Sequence, residues 1–274
     1  MSAAGFSPGR TWLIARNTLR EAARQRLFQF LVLLALALVL GARWLRDFNF
    51  GAPELKFLAD CGFGAMAFLG SALTITATAQ LFFSEIENRT ALTLLAKPVW
   101  RAEFILGKLL GVAALAAVFC ALLTGLLAWR EAELAALTTD AVVSGGGVSH
   151  AMVALGGLMQ WLRLLVLAAF TLLVASFAQS QLFSVVTGFL VLVVCHLQHL
   201  AQESYVRAGS AAGMIMSALI SAVFPNFQIF LLVDSLAAVD LPAAGEVIRV
   251  VLYGAGYAAA AALLAILSFR RREI

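Results

Sequence analysis

Charge divides this 274-residue chain into six apolar runs whose cores hold no Asp, Glu, Lys or Arg. Each approaches the roughly 20 residues that a helix rising 1.5 Å per residue needs to cross about 30 Å of hydrocarbon. In that medium an unpaired backbone amide has no water to turn to, so each run is expected to be helical. Composition agrees: 62% of residues are hydrophobic and 12% charged, against about 45–50% and 25% in soluble domains. The expected fold is an all-α integral membrane protein of six transmembrane helices, one domain over residues 1–274.

Residues 10–26 precede the first run and read as an amphipathic elbow helix on the membrane surface. Trp12, Ala15, Leu19, Ala22 and Ala23 form its apolar face, and Arg16, Arg20 and Arg24 recur beside it. The spans are expected at 27–42, 62–83, 104–129, 161–178, 182–200 and 247–269. Residues 47–60 and 130–150 read as outer loops. Gly156-Gly157 is expected to break the chain between a short interfacial helix and the fourth span, which leaves Arg163 at the outer interface because a mid-bilayer charge is costly. The uncharged Gln179-Ser180-Gln181 joins spans four and five in a tight hairpin. Residues 201–246 hold two apolar pieces, 209–224 and 227–239, separated by Pro225-Asn226, and read as a re-entrant pair between spans five and six.

Orientation follows from counting. If both termini are cytoplasmic, that face carries 12 basic and 5 acidic residues, a balance of +7, and the other face 7 basic and 10 acidic, a balance of −3. The excess of Lys and Arg marks the inner side. The net charge of +4 is explained by topology and does not call for nucleic acid. Three isolated cysteines, Cys61, Cys120 and Cys195, predict small buried hydrophobes and no disulfide framework.

Between spans two and three lies a stretch that a simple connection would not need. Glu85, Glu87, Arg89, Lys97, Arg101, Glu103 and Lys108 surround the apolar cluster Leu92, Leu94 and Leu95, and Pro98 stops any helix there. Segment 84–103 therefore reads as a cytoplasmic docking surface for another protein. In span two, Ser71, Thr74 and Thr78 make a hydroxyl stripe that either lines a polar path or bonds between helices. His196 and His199 share a helix face but lack a third ligand, so no metal site is expected.

Chemistry of the chain's own is not expected. Gly107-Lys108 fails as a phosphate loop, since Ala102 and Leu109 stand where Gly and Ser/Thr are required. No Ser/His/Asp set or HExxH occurs, so the chain does not read as an enzyme. Spans without ionisable cores also lack the groups that gradient-driven transporters use at membrane depth.

The stretch Glu87-Asn88-Arg89-Thr90-Ala91-Leu92-Thr93-Leu94-Leu95-Ala96-Lys97-Pro98-Val99-Trp100-Arg101, with Gly107-Lys108 beyond it, closely resembles the first cytoplasmic loop of permease subunits of type-2 ATP-binding-cassette (ABC) exporters. Ala91 between Thr90 and Leu92 is a small departure from that pattern. The resemblance implies that Thr90 to Ala96 is a coupling helix seated in a separate ABC-type ATPase. Glu85, Glu87, Arg89, Thr90, Leu92, Leu94, Leu95, Pro98 and Arg101 are then the partner-binding residues, with charged contacts to the ATPase or the elbow. It further implies a second permease subunit, identical or not, and a place in the cell (inner) membrane. The chain itself would hold no cofactor, with ATP and magnesium on the ATPase. A gradient-driven transporter or channel, and a non-transporting scaffold, are the alternatives.

Overall fold

The computed structural model describes residues 6–42, 44, 54–87, 100–137, 150–207, 211–231 and 242–270. Among them every regular element is helical. In chain order they are α1 (Pro8–Ala23), α2 (Arg26–Gly41), α3 (Glu54–Glu87), α4 (Arg101–Leu137), α5 (His150–Phe177), α6 (Gln181–Arg207), α7 (Ala211–Val223), a 3-10 turn (Phe227–Leu231) and α8 (Ala244–Arg270). Five of these, α3, α4, α5, α6 and α8, are long and apolar enough to span a membrane. A sixth is obtained if α1 and α2, bent by 68° at their junction, count as one span.

Local sequence sets the ends. Pro8 at the first turn of α1 gives up an amide hydrogen that has no helical acceptor there. Ser180 caps α6, its hydroxyl accepting the Phe183 amide at 3.3 Å, so the predicted hairpin occupies only Ala178 to Ser180. α7 stops at Val223, ahead of Pro225. The Asn226 carboxamide oxygen then accepts the Gln228 amide at 2.9 Å and turns the chain into the 3-10 segment.

α5 is the centre of the bundle. It is buried on nearly all sides and packs against α3, α4, α6, α8 and the 3-10 turn, its longest interface being with α8. The predicted break at Gly156-Gly157 does not occur: α5 is continuous from His150 to Phe177. A Cβ at Gly156 would strike the Phe63 ring, and one at Gly157 the Thr124 side chain. The glycines let α3 and α4 approach closely and do not interrupt the helix. Arg163 consequently lies midway along α5, about 21 Å from Phe177, and is 5% exposed. It sits inside a continuous, buried helix and not near the start of a separate span helix, where the predicted break would have put it.

Other boundaries move outward. α3 begins at Glu54 inside the predicted outer loop, and α4 runs on to Leu137. Segment 201–246 begins with the end of α6. Its first apolar piece is the 13-residue α7, and its second is helical only as the five residues Phe227–Leu231 among those described. At about 20 Å, α7 is too short to cross a bilayer. Cys61, Cys120 and Cys195 are free.

Candidate functional site at the charged end of the bundle

Four helix ends meet at one end of the molecule: the N-termini of α1 and α4 and the C-termini of α3 and α8. The predicted docking segment 84–103 departs from and returns to this junction. Arg89, Thr90, Leu92, Leu94, Leu95 and Pro98 lie outside the described residues. Glu87 is the last residue of α3.

The junction is organised by Glu103, whose side chain is fully buried. Its carboxylate accepts the Trp100 amide at 3.1 Å, the reach-back of a third-position acid to the residue ahead of its helix. It also accepts the Ser7 amide at 2.6 Å and the Arg10 guanidinium at 2.8 Å. One carboxylate therefore fastens the starts of α1 and α4 together, at helix ends where anions are favoured. Further along α4, the Lys108 amine, 2% exposed, lies 2.6 Å from the Glu85 carboxylate at the end of α3. The Arg101 guanidinium donates to the Phe269 and Arg270 carbonyls at 3.0 and 2.6 Å, closing the C-terminus of α8 as cations do at helix ends. The Ser84 hydroxyl donates to Glu21 at 3.3 Å and ties α3 to α1. Beneath these groups Phe82, Phe83, Phe104 and Phe269 form an edge-to-face and stacked cluster.

α1 presses directly on α4. A Cβ at Gly107 would overlap Ile14, and one at Gly111 would overlap Thr18, so the Gly107/Gly111 spacing receives the elbow helix itself. The face of α1 that does this is Thr11, Ala15, Thr18 and Ala22. Of the apolar face read from the sequence, Ala15 and Ala22 are buried here, whereas Trp12 and Ala23 point outward. Small side chains allow close backbone packing, and the bulky ones are left for the surroundings.

Glu85 and Arg101 thus engage α4 and α8 of their own chain. Glu103 and Lys108, which hold the junction, were not among the expected site residues. Their signal in the sequence was membership of the charged stretch and, for Glu103, its place three residues after Trp100. In α3, the Ser71 and Thr78 hydroxyls bond back to the Ala67 and Thr74 carbonyls at 2.5 and 2.6 Å, and buried Thr74 Oγ1 has no hydrogen-bond partner. His199 Nδ1 sits 3.0 Å from the His196 carbonyl of its own helix. Among the described residues no group of three or more His, Cys, Asp or Glu side chains is placed to hold a metal.

A bundle of five or six membrane-length helices defines a polytopic membrane protein. The chain belongs to the ABC-2 transporter family: residues 23–196, more than half of its length, match the family described as ABC-2 family transporter protein. That match begins at the last residue of α1 and ends within α6. No match to the chain is found among curated proteins.

Proposed function

We propose that the chain is the membrane-spanning subunit of an ABC exporter in the cell (inner) membrane, energised by ATP and magnesium on a separate ATPase, with a second permease subunit completing the path. Segment 84–103 is the handle, cytoplasmic by the charge count, and Glu87, Arg89, Thr90, Leu92, Leu94, Leu95 and Pro98 carry the ATPase contacts. The observation that supports this most is the junction beneath the segment. Buried Glu103, the Glu85–Lys108 pair and the Arg101 bonds connect its flanks to α1, α3, α4 and α8. A push on a loop so anchored moves four helices together. The work comes from docking that differs between the nucleotide states of the ATPase.

Co-purification with a candidate ABC-type ATPase tests the reading. Replacing Glu87 and Arg89 together by Ala should weaken the complex and abolish stimulation of ATP hydrolysis by the permease. Undiminished binding and stimulation would overturn the assignment of the loop. One observation favours a gradient-driven transporter: Arg163 and His196 border a cavity within the span region. Solute movement by the purified chain alone, without ATP, would decide for that alternative.

A further inference from the structure

Away from the charged junction, towards the opposite ends of α3, α5 and α6, the three helices enclose a cavity of about 770 Å³. Its polar lining is Asp60, Gln160, Arg163 and His196; the remaining walls are chiefly apolar. Gln160 and Arg163, one helical turn apart on α5, are 3% and 5% exposed. Arg163 Nε, a donor, and Gln160 Oε1, an acceptor, have no hydrogen-bond partner, so an anion can satisfy the first directly and the second only through a protonated oxygen. The Arg163 guanidinium stacks over the Phe227 ring at 5.1 Å, and it forms no ion pair among the described residues.

A guanidinium at this depth is expensive, and an aromatic face offsets only part of the cost. The usual remedy is a carboxylate within reach, and this chain supplies one at the other end of the bundle for each of Arg10 and Lys108. At Arg163 the planar fork, suited to two oxygens of one anion, is left open. The mouth of the cavity adds a second requirement. Phe68, Val193 and Leu197 line it and are 75%, 51% and 47% exposed, so its rim is apolar and continuous with the outer surfaces of α3 and α6. A bare anion would gain nothing from that rim, whereas an apolar tail attached to the anion would lie along it.

We propose that this cavity binds an anionic amphiphile, the head group held by Arg163 with Gln160 and His196 beside it, and the tail leaving between α3 and α6 past Phe68 and Leu197. The proposal stands independently of how the protein is energised. Two sources share this chemistry: an acidic phospholipid of the bilayer and a dispersed single-chain anion.

The test is thermal unfolding of the purified full chain in a non-ionic detergent, with dodecyl phosphate or inorganic phosphate added. A parallel set uses nanodiscs of phosphatidylcholine with and without phosphatidylglycerol. Dodecyl phosphate should raise the Tm of the wild type by several degrees, and inorganic phosphate should not. Arg163→Met and Gln160→Leu should each lose most of that shift, and Arg163→Met alone should unfold no earlier than the wild type, because it removes an uncompensated buried charge. ATPase co-purification should be unchanged in both variants, which separates this site from the loop. A rise with phosphatidylglycerol identifies the bilayer as a source; a rise with dodecyl phosphate alone identifies a dispersed amphiphile. A full shift with inorganic phosphate, a shift that survives in Arg163→Met and Gln160→Leu, or no shift with either amphiphile would overturn the proposal. So would a ligand-free Arg163→Met protein of much lower Tm, which would make the arginine a structural strut.

Discussion

The two ends of the bundle treat buried charge in opposite ways. At the junction of α1, α3, α4 and α8, buried Glu103 has three donors, and buried Lys108 has a carboxylate at 2.6 Å. In the cavity between α3, α5 and α6, Arg163 and Gln160 are as deeply buried, and among the described residues no carboxylate pairs with Arg163 as Glu103 and Glu85 pair with Arg10 and Lys108. A charge satisfied within the chain stiffens what it touches. One left open keeps a place for something from outside. The contrast separates a mechanical joint from a binding chamber in one helical body, with α3 and α5 running between them.

The largest effect should come from the joint. Glu103→Ala removes the acceptor that the Ser7 and Trp100 amides and Arg10 share, and each hydrogen bond to a charged group contributes about 1.5–3 kcal/mol. A large fall in Tm, with α1 released to proteolysis, is the expected outcome; a Tm near that of the wild type would remove Glu103 from the centre of the junction. Lys108→Met should cost about 3 kcal/mol by removing the cation that faces Glu85. Adding Glu85→Leu should recover most of the loss, because two apolar groups need no partner. A double variant no better than the single would show that the ion pair is not what joins α3 to α4. Gly111→Val forces a side chain into Thr18 and should cost about 1–3 kcal/mol, read again as Tm and as exposure of α1. Phe68→Ala, at the exposed rim of the cavity, should change stability by less than about 0.5 kcal/mol and still reduce the shift given by dodecyl phosphate. If it lowers Tm strongly, Phe68 belongs to the core and the rim has been misplaced.

What the sequence made legible was whatever depends on runs of residues. The membrane-length helices, the hairpin at Ser180 and the stop before Pro225 are all consequences of length, charge and breakers. Readings that depended on what a residue packs against were not legible. Gly156-Gly157 looks like a breaker in isolation, yet Phe63 and Thr124 fill the space above it and the helix runs through. On the elbow, periodicity grouped Ala15 and Ala22 with Trp12 and Ala23, whereas the face that packs closely on Gly107 and Gly111 joins them instead to Thr11 and Thr18. Arg163 was placed at an interface by the cost of burying charge, and no rule read from the sequence could foresee that it lies within unbroken α5 against Phe227, from a distant part of the chain. The hydroxyls of Ser71 and Thr78 read equally as path or packing, and only coordinates reveal that they bond to their own helix. Of the candidate loop, sequence marked its existence, and the structure adds the anchors Glu103, Lys108 and Arg101.

Central to this account is that segment 84–103 meets a separate ATPase while the far end of the bundle does not. A photo-crosslinking residue placed at Leu94, and in a second protein at Leu158, which is exposed on the first half of α5, tests it in one gel with an ABC-type ATPase present. The account predicts a permease–ATPase adduct from position 94, lost when Glu87 and Arg89 are replaced by Ala, and none from position 158. An adduct from 158 and none from 94 would contradict it.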